Sequence, residues 1–60
     1  NEREREVAIA VAEGLTNADI ARQHFMSLAA VKAHVTKILE KWGASNRVQI
    51  AIRVHDAELD

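Results

Sequence analysis

The side chains with chemistry to offer are concentrated between Ser27 and Gln49. There Lys32, Lys37, Lys41 and Arg47 stand against one acid, Glu40, with His34 among them. Lys32 and Thr36 are four residues apart, so on a helix they share a face, with Ala33 beside them. Such a face presents positive charge and hydrogen-bond donors outward, which suits holding a surface rather than breaking a bond. The same lysines also fit an ordinary solvated helix face, and the pattern alone does not separate the two.

Bond-breaking chemistry has little to work with. The chain has no Cys and no Tyr. It has no glycine-rich phosphate loop and no Ser–His–Asp arrangement, and Ser27 and Ser45 both read as helix-boundary residues. His24, His34 and His55 show no i, i+4 ligand spacing, so no metal site is expected. No cofactor is expected either, and a binding module is favoured over an enzyme.

Composition points the same way. Sixty residues make one domain, read here as spanning 1–60. A domain of this size buries only about 60% of its unfolded surface, which leaves no room for a deep enclosed site. The chain has no Pro, two Gly and two aromatic residues, Phe25 and Trp42, and this points to an all-α fold. Without cysteine there are no disulfides, which fits a cytoplasmic setting. No apolar run approaches the roughly 20 residues of a membrane span. The net charge of −1 hides a segregation. Residues 1–26 carry −2, residues 27–49 carry +3 and residues 50–60 carry −2.

Four helices are expected to position the cationic face. Asn1 reads as an N-cap with Glu4 as its box partner, opening a first helix through Val7, Ala8, Val11 and Ala12 that Gly14 stops. Thr16 and Asp19 form a second capping box before a short helix, 18–23, with Ile20 and Ala21 turned inward. A brief turn, 24–26, carries Phe25, which is expected in the core. Ser27 caps the longest helix, Leu28 to about Trp42, whose stripe is Val31, Val35, Ile38, Leu39 and Trp42. Trp42 reads as core or interface filler. Gly43 ends that helix, and Asn46 caps a last one, 47 to about 57, with an apolar face of Val48, Ile52 and Ala51. A short helix joined by a tight turn to a longer cationic one is a helix-turn-helix arrangement, here inside a four-helix bundle.

At this point a resemblance enters. Glu4-Arg5-Glu6-Val7, Ala12-Glu13-Gly14-Leu15-Thr16-Asn17, Asp19-Ile20-Ala21, Val31-Lys32-Ala33-His34-Val35 and Ile38-Leu39-Glu40-Lys41, in that order, resemble the LuxR-type DNA-binding domain. That is the output domain of NarL/FixJ-type bacterial response regulators and of quorum-sensing regulators. The likeness runs from Glu2 to about His55, and its weight lies in the ordered set rather than in any one piece.

The resemblance implies sequence-specific binding of double-stranded DNA for transcription regulation, by the C-terminal output domain of a two-component response regulator. The helix at about 28–42 would be the recognition helix. Lys32, Ala33 and Thr36 would face the bases, and Thr16, Asn17, Ser27, Ala29, His34 and Lys37 the phosphates. The helix at about 47–57 resembles the one such domains use to dimerise, through Val48, Ala51 and Ile52. A homodimer on paired half-sites, inverted or tandem, and an N-terminal receiver or sensor domain are implied, with RNA polymerase a further partner. Glu4 and Arg47 sit where the family commonly pairs an acid and a base across the core, or they are separate surface charges.

The physics fits these roles. A helix enters the B-DNA major groove, where Lys donates to guanine O6 and N7, and the methyl of Ala33 permits close approach and contact with a thymine methyl. His34 is read as a phosphate donor, a hydrogen-bonded core residue or a pH-responsive group, with partial burial favoured. The chain departs from the family in carrying Leu28, Ala29 and Ala30 where members often have polar or charged residues, and in the uncharged Thr36. Leu28 and Ile9 are either partner surfaces or ordinary exposed apolar residues. The alternative reading is a helical protein-interaction module that keeps this fold without specific DNA binding.

Overall fold

The helix boundaries between Ala12 and Arg47 are each set by a local device that satisfies the backbone groups a helix end leaves open. In the computed structural model, which describes residues 2–59, the elements are α1 (Glu2–Ala12), α2 (Asn17–Gln23), α3 (Leu28–Trp42) and α4 (Arg47–Leu59). The expected cap at Asn1 lies outside the described residues. No strand occurs among the described residues, and the four-helix, all-α architecture stands as expected.

The starts are capped as the sequence implies. Thr16 Oγ1 accepts from the Asp19 amide at 3.1 Å while Asp19 Oδ2 accepts from the Thr16 amide at 3.3 Å, completing the capping box. Ser27 Oγ accepts from the Ala30 amide at 3.1 Å. Asn46 Oδ1 accepts from the Gln49 amide at 3.2 Å, and Gln49 Oε1 accepts from the Ser45 amide at 2.6 Å.

The stops share one form. After α1 the Leu15 amide donates to the Ala10 carbonyl at 3.2 Å and the Gly14 amide to the Val11 carbonyl at 3.0 Å, with Gly14 at φ 86°. After α3 the Ala44 amide donates to the Leu39 carbonyl at 2.9 Å around Gly43 at φ 61°. Both are the left-handed Schellman ending that glycine makes easy. After α2 the Met26 amide donates to the Ala21 carbonyl at 2.9 Å, but the left-handed residue there is Phe25, at φ 55°.

Phe25 corrects an expectation. It is 97% exposed and not in the core. The left-handed turn that ends α2 directs its side chain into solvent, and the partly buried Met26 packs on the core from the next position.

The core is built from Val7, Ala8, Ala10 and Val11 of α1, Ile20 of α2, Val31, Val35 and Ile38 of α3, and Ile50 and Val54 of α4. Leu39 and Trp42 pack on it partly buried. In α4 the buried pair is Ile50 and Val54, whereas Val48 and Ile52 are 63% and 54% exposed. Both pairs have the same i, i+4 spacing, so periodicity alone does not say which stripe turns inward. α4 lies chiefly along α1, and α3 packs on all three other helices.

Candidate nucleic-acid interface

The outward side of α3 is the face that no other helix covers. Lys32, Ala33, Thr36 and Lys37 are all exposed on it, and Leu28 and Ala29 continue it to the helix start. The opposite side sinks Val31, Val35 and Ile38 into the core, which fixes the rotation of the helix and so the direction of the outward residues. α2 packs on α3 behind this face.

The lysines differ in what holds them. Lys41 Nζ lies 2.8 Å from Glu4 Oε1, a contact between α3 and α1. Glu4 is 5% exposed, and its hydrogen bond from Lys41 holds the carboxyl below its ordinary value. Lys32 and Lys37 have no ion-pair partner among the described residues, so their charge is available to a ligand.

The expected pairing of Glu4 with Arg47 is corrected here. Among the described residues Lys41 is the cation at Glu4. Arg47, half-buried at the start of α4, instead donates through Nη1 to Asn17 Oδ1 at 2.7 Å and through Nη2 to the Leu15 carbonyl at 2.9 Å. The carbonyl just outside a Schellman ending and the side-chain oxygen at the start of α2 together offer the guanidinium two acceptors. Its forked geometry suits both.

Of the residues expected at phosphates, Ser27, Ala29, His34 and Lys37 belong to α3 and its cap, while Thr16 and Asn17 open α2. Thr16 and Ser27 are exposed caps of α2 and α3, and each spends its side-chain oxygen as an acceptor toward its own helix, leaving the hydroxyl hydrogen free to donate. Asn17 is half-buried, and because Arg47 occupies its oxygen its amide nitrogen remains the free donor. Ala29, in the first turn of α3, has only its backbone amide to offer, at the positive end of the helix. His34 is half-buried, and its Nδ1 is a buried atom with no hydrogen-bond partner among the described residues.

Asp19 completes the local electrostatics. Its carboxylate accepts from the Thr16 amide and from Arg22 Nη2 at 2.6 Å, and the backbone hydrogen bond holds its carboxyl below the ordinary range. Arg22 is exposed on α2.

Sequence reasoning missed the Arg47 attachment, since thirty residues separate its partners and no local motif announces it. It also missed the open groove between α1, α3 and α4, which is lined by Glu4, Arg5, Ile9, Trp42, Arg53 and Ala57 among others.

Comparison with known proteins then decides the family. The model of the bacterial regulatory proteins of the luxR family matches residues 1–54. The chain belongs to that family. The luxR-family assignment agrees with three similar proteins. The transcriptional regulatory protein LiaR of Bacillus subtilis is 42% identical over 53 residues, covering 88% of this chain and 25% of LiaR. The nitrate/nitrite response regulator NarL of Escherichia coli K12 is 37% identical over 57 residues, covering 95% of this chain and 26% of NarL. The transcriptional regulatory protein UhpA of Salmonella typhimurium is 41% identical over 54 residues, covering 90% of this chain and 28% of UhpA. The luxR-family chain thus spans about a quarter of the length of these relatives.

Proposed function

We propose that this domain binds double-stranded DNA sequence-specifically for transcription regulation, as the C-terminal output domain of a two-component response regulator in the bacterial cytoplasm. The observation that carries this reading is the outward face of α3, where Lys32 and Lys37 stand exposed with no ion-pair partner among the described residues and with Ala33 and Thr36 between them. Laid in the major groove, such a face brings Lys32, Ala33 and Thr36 to base edges. Thr16, Asn17, Ser27, the Ala29 amide, His34 and Lys37 then supply phosphate contacts that fix the register.

The domain acts as a homodimer in this reading. Val48 and Ile52, exposed on α4 with Ala51 half-buried beside them, are the apolar surface offered to a second copy. Two copies would read half-sites about one helical turn apart. A receiver or sensor domain N-terminal to this one would control that pairing, with RNA polymerase as a downstream partner.

The decisive experiment is selection from a random duplex library, followed by anisotropy titration of the winner and of a scrambled duplex at several salt concentrations. The reading expects paired half-sites and an affinity that falls steeply with salt. A second reading, a protein-interaction module, is favoured by Phe25 and Leu28, which are 97% and 46% exposed. It requires no enrichment and no salt-dependent duplex binding, even with a dimerising domain fused.

A further inference from the structure

The first turns of the outward arc of α3 are poor in polar atoms for a face that meets base edges. At 3.6 residues per turn, Ala29, Ala33 and Thr36 lie around the middle of that arc, with Leu28 and Lys32 toward one edge. All five are exposed, Leu28 by 46%. Ser27, the polar residue at the helix start, accepts from the Ala30 amide and so turns its oxygen back on its own helix. Lys32 and Lys37 flank these central positions, Glu40 lies one turn beyond Thr36, and between them, apart from the Thr36 hydroxyl, the arc offers methyl groups.

Methyl groups cannot read hydrogen-bond donors or acceptors. The one apolar group a base presents in the major groove is the C5-methyl of thymine, and a cytosine methylated at C5 presents the same group in the same place. The geometry points to a recognition face that selects its half-site by pyrimidine C5-methyl groups, read by Leu28, Ala29, Ala33 and the methyl of Thr36, with Lys32 adding one guanine contact. This rests on the DNA-binding reading above. The apolar residues share one arc with unpaired lysines, and that combination suits a groove with methyls on its floor and phosphates on its walls better than it suits an apolar protein surface.

The test removes the methyl from the DNA and leaves the protein intact. In the selected duplex each thymine is replaced, one at a time, by deoxyuridine, which pairs identically. Binding is expected to weaken about fourfold at each contacted base, the equivalent of the about 0.8 kcal/mol that burial of one such carbon contributes. A thymine–adenine to cytosine–guanine change at the same position is expected to weaken binding, with C5-methylation of that cytosine restoring part of the loss. Ala33→Gly, checked for helicity by circular dichroism, is expected to erase the thymine–uracil difference at one base and leave it at the others. Sequence-specific, salt-dependent binding that ignores uracil at every position would overturn methyl readout and leave DNA reading in place. Absence of salt-dependent binding to any duplex would remove both.

Discussion

Arg47 Nη1 lies 2.7 Å from Asn17 Oδ1, and this bond ties the first residue of α4 to the first residue of α2. The second arm of the same guanidinium holds the Leu15 carbonyl at 2.9 Å. One side chain therefore fixes where the helix-turn-helix begins relative to the helix proposed to dimerise. Hydrogen bonds from a charged donor contribute about 1.5–3 kcal/mol, and an acceptor stripped of its donor costs extra. Arg47→Ala is expected to destabilise the fold by about 2 kcal/mol in urea unfolding. Arg47→Lys recovers less than half of that, because an ammonium cannot span both acceptors with the arginine's fork. Equal stability of Arg47→Lys and the parent would show that the fork is not what matters.

The two unpaired lysines of α3 should behave differently on DNA. Lys32→Ala is expected to weaken binding to the preferred site by about 1–3 kcal/mol and to relax base preference there. Lys37→Ala should weaken all sequences alike and lower the slope of log affinity against log salt by about one. Anisotropy titrations of both variants at several ionic strengths decide the matter. Identical profiles would overturn the division of labour.

Acid should loosen the α1–α3 contact. Lys41 holds the Glu4 carboxyl below its ordinary value of 4.5, so the folded state favours the ionised form. The stabilisation from this contact is complete above that ordinary value, shrinks as pH falls below it, and is gone once pH has passed through the lower folded value. Asp19, held low by the Thr16 amide from an ordinary 3.8, adds a parallel loss in a slightly more acidic range. Thermal melts between pH 6 and about pH 3 should therefore show a falling Tm, and Glu4→Gln should flatten the upper part of that fall. A fall of unchanged shape in Glu4→Gln would exclude the pair as its source.

Phe25 occupies a left-handed position at φ 55° while 97% exposed, so it bears backbone strain with little packing in return. That conformation costs a non-glycine residue roughly 1–2 kcal/mol, against about 0.5–1 kcal/mol for the extra unfolded freedom of glycine. Phe25→Gly is expected to stabilise the fold by about 0.5–1 kcal/mol, read as a raised urea midpoint at constant slope. Destabilisation would mean that the phenyl ring makes contacts that hold the turn.

Much of the fold was legible because its signals are local. The capping box at Thr16 and Asp19, the Ser27 cap, the Gly43 stop and the α3 stripe each lie within a few residues, and α3 runs from Leu28 to Trp42 as its pattern implied. What escaped depends on the third dimension. Val48 with Ile52 and Ile50 with Val54 are equally good i, i+4 pairs, and only the docking of α4 along α1 chooses between them. Glu4 was expected opposite Arg47, and the packing of α3 on α1 brought Lys41 to it instead. Phe25 was assigned to the core by its hydrophobicity, but its place at the end of α2 demanded a left-handed backbone that turned the ring outward.

The segregation of charge along the chain becomes, in the folded domain, an electric moment. Over Leu28–Trp42 α3 carries three lysines against Glu40, a net +2, while over Glu2–Ala12 α1 carries three acids against two arginines, a net −1, with Glu13 just beyond it. A polyanion meeting the acidic side is repelled, and one meeting α3 is drawn in, so the field exerts a torque that rotates the molecule before contact. A net charge of −1 is therefore no obstacle to capture. It suppresses indiscriminate sticking while the moment selects the productive orientation, and added salt would blunt that orientation before it weakened the bonds made at contact.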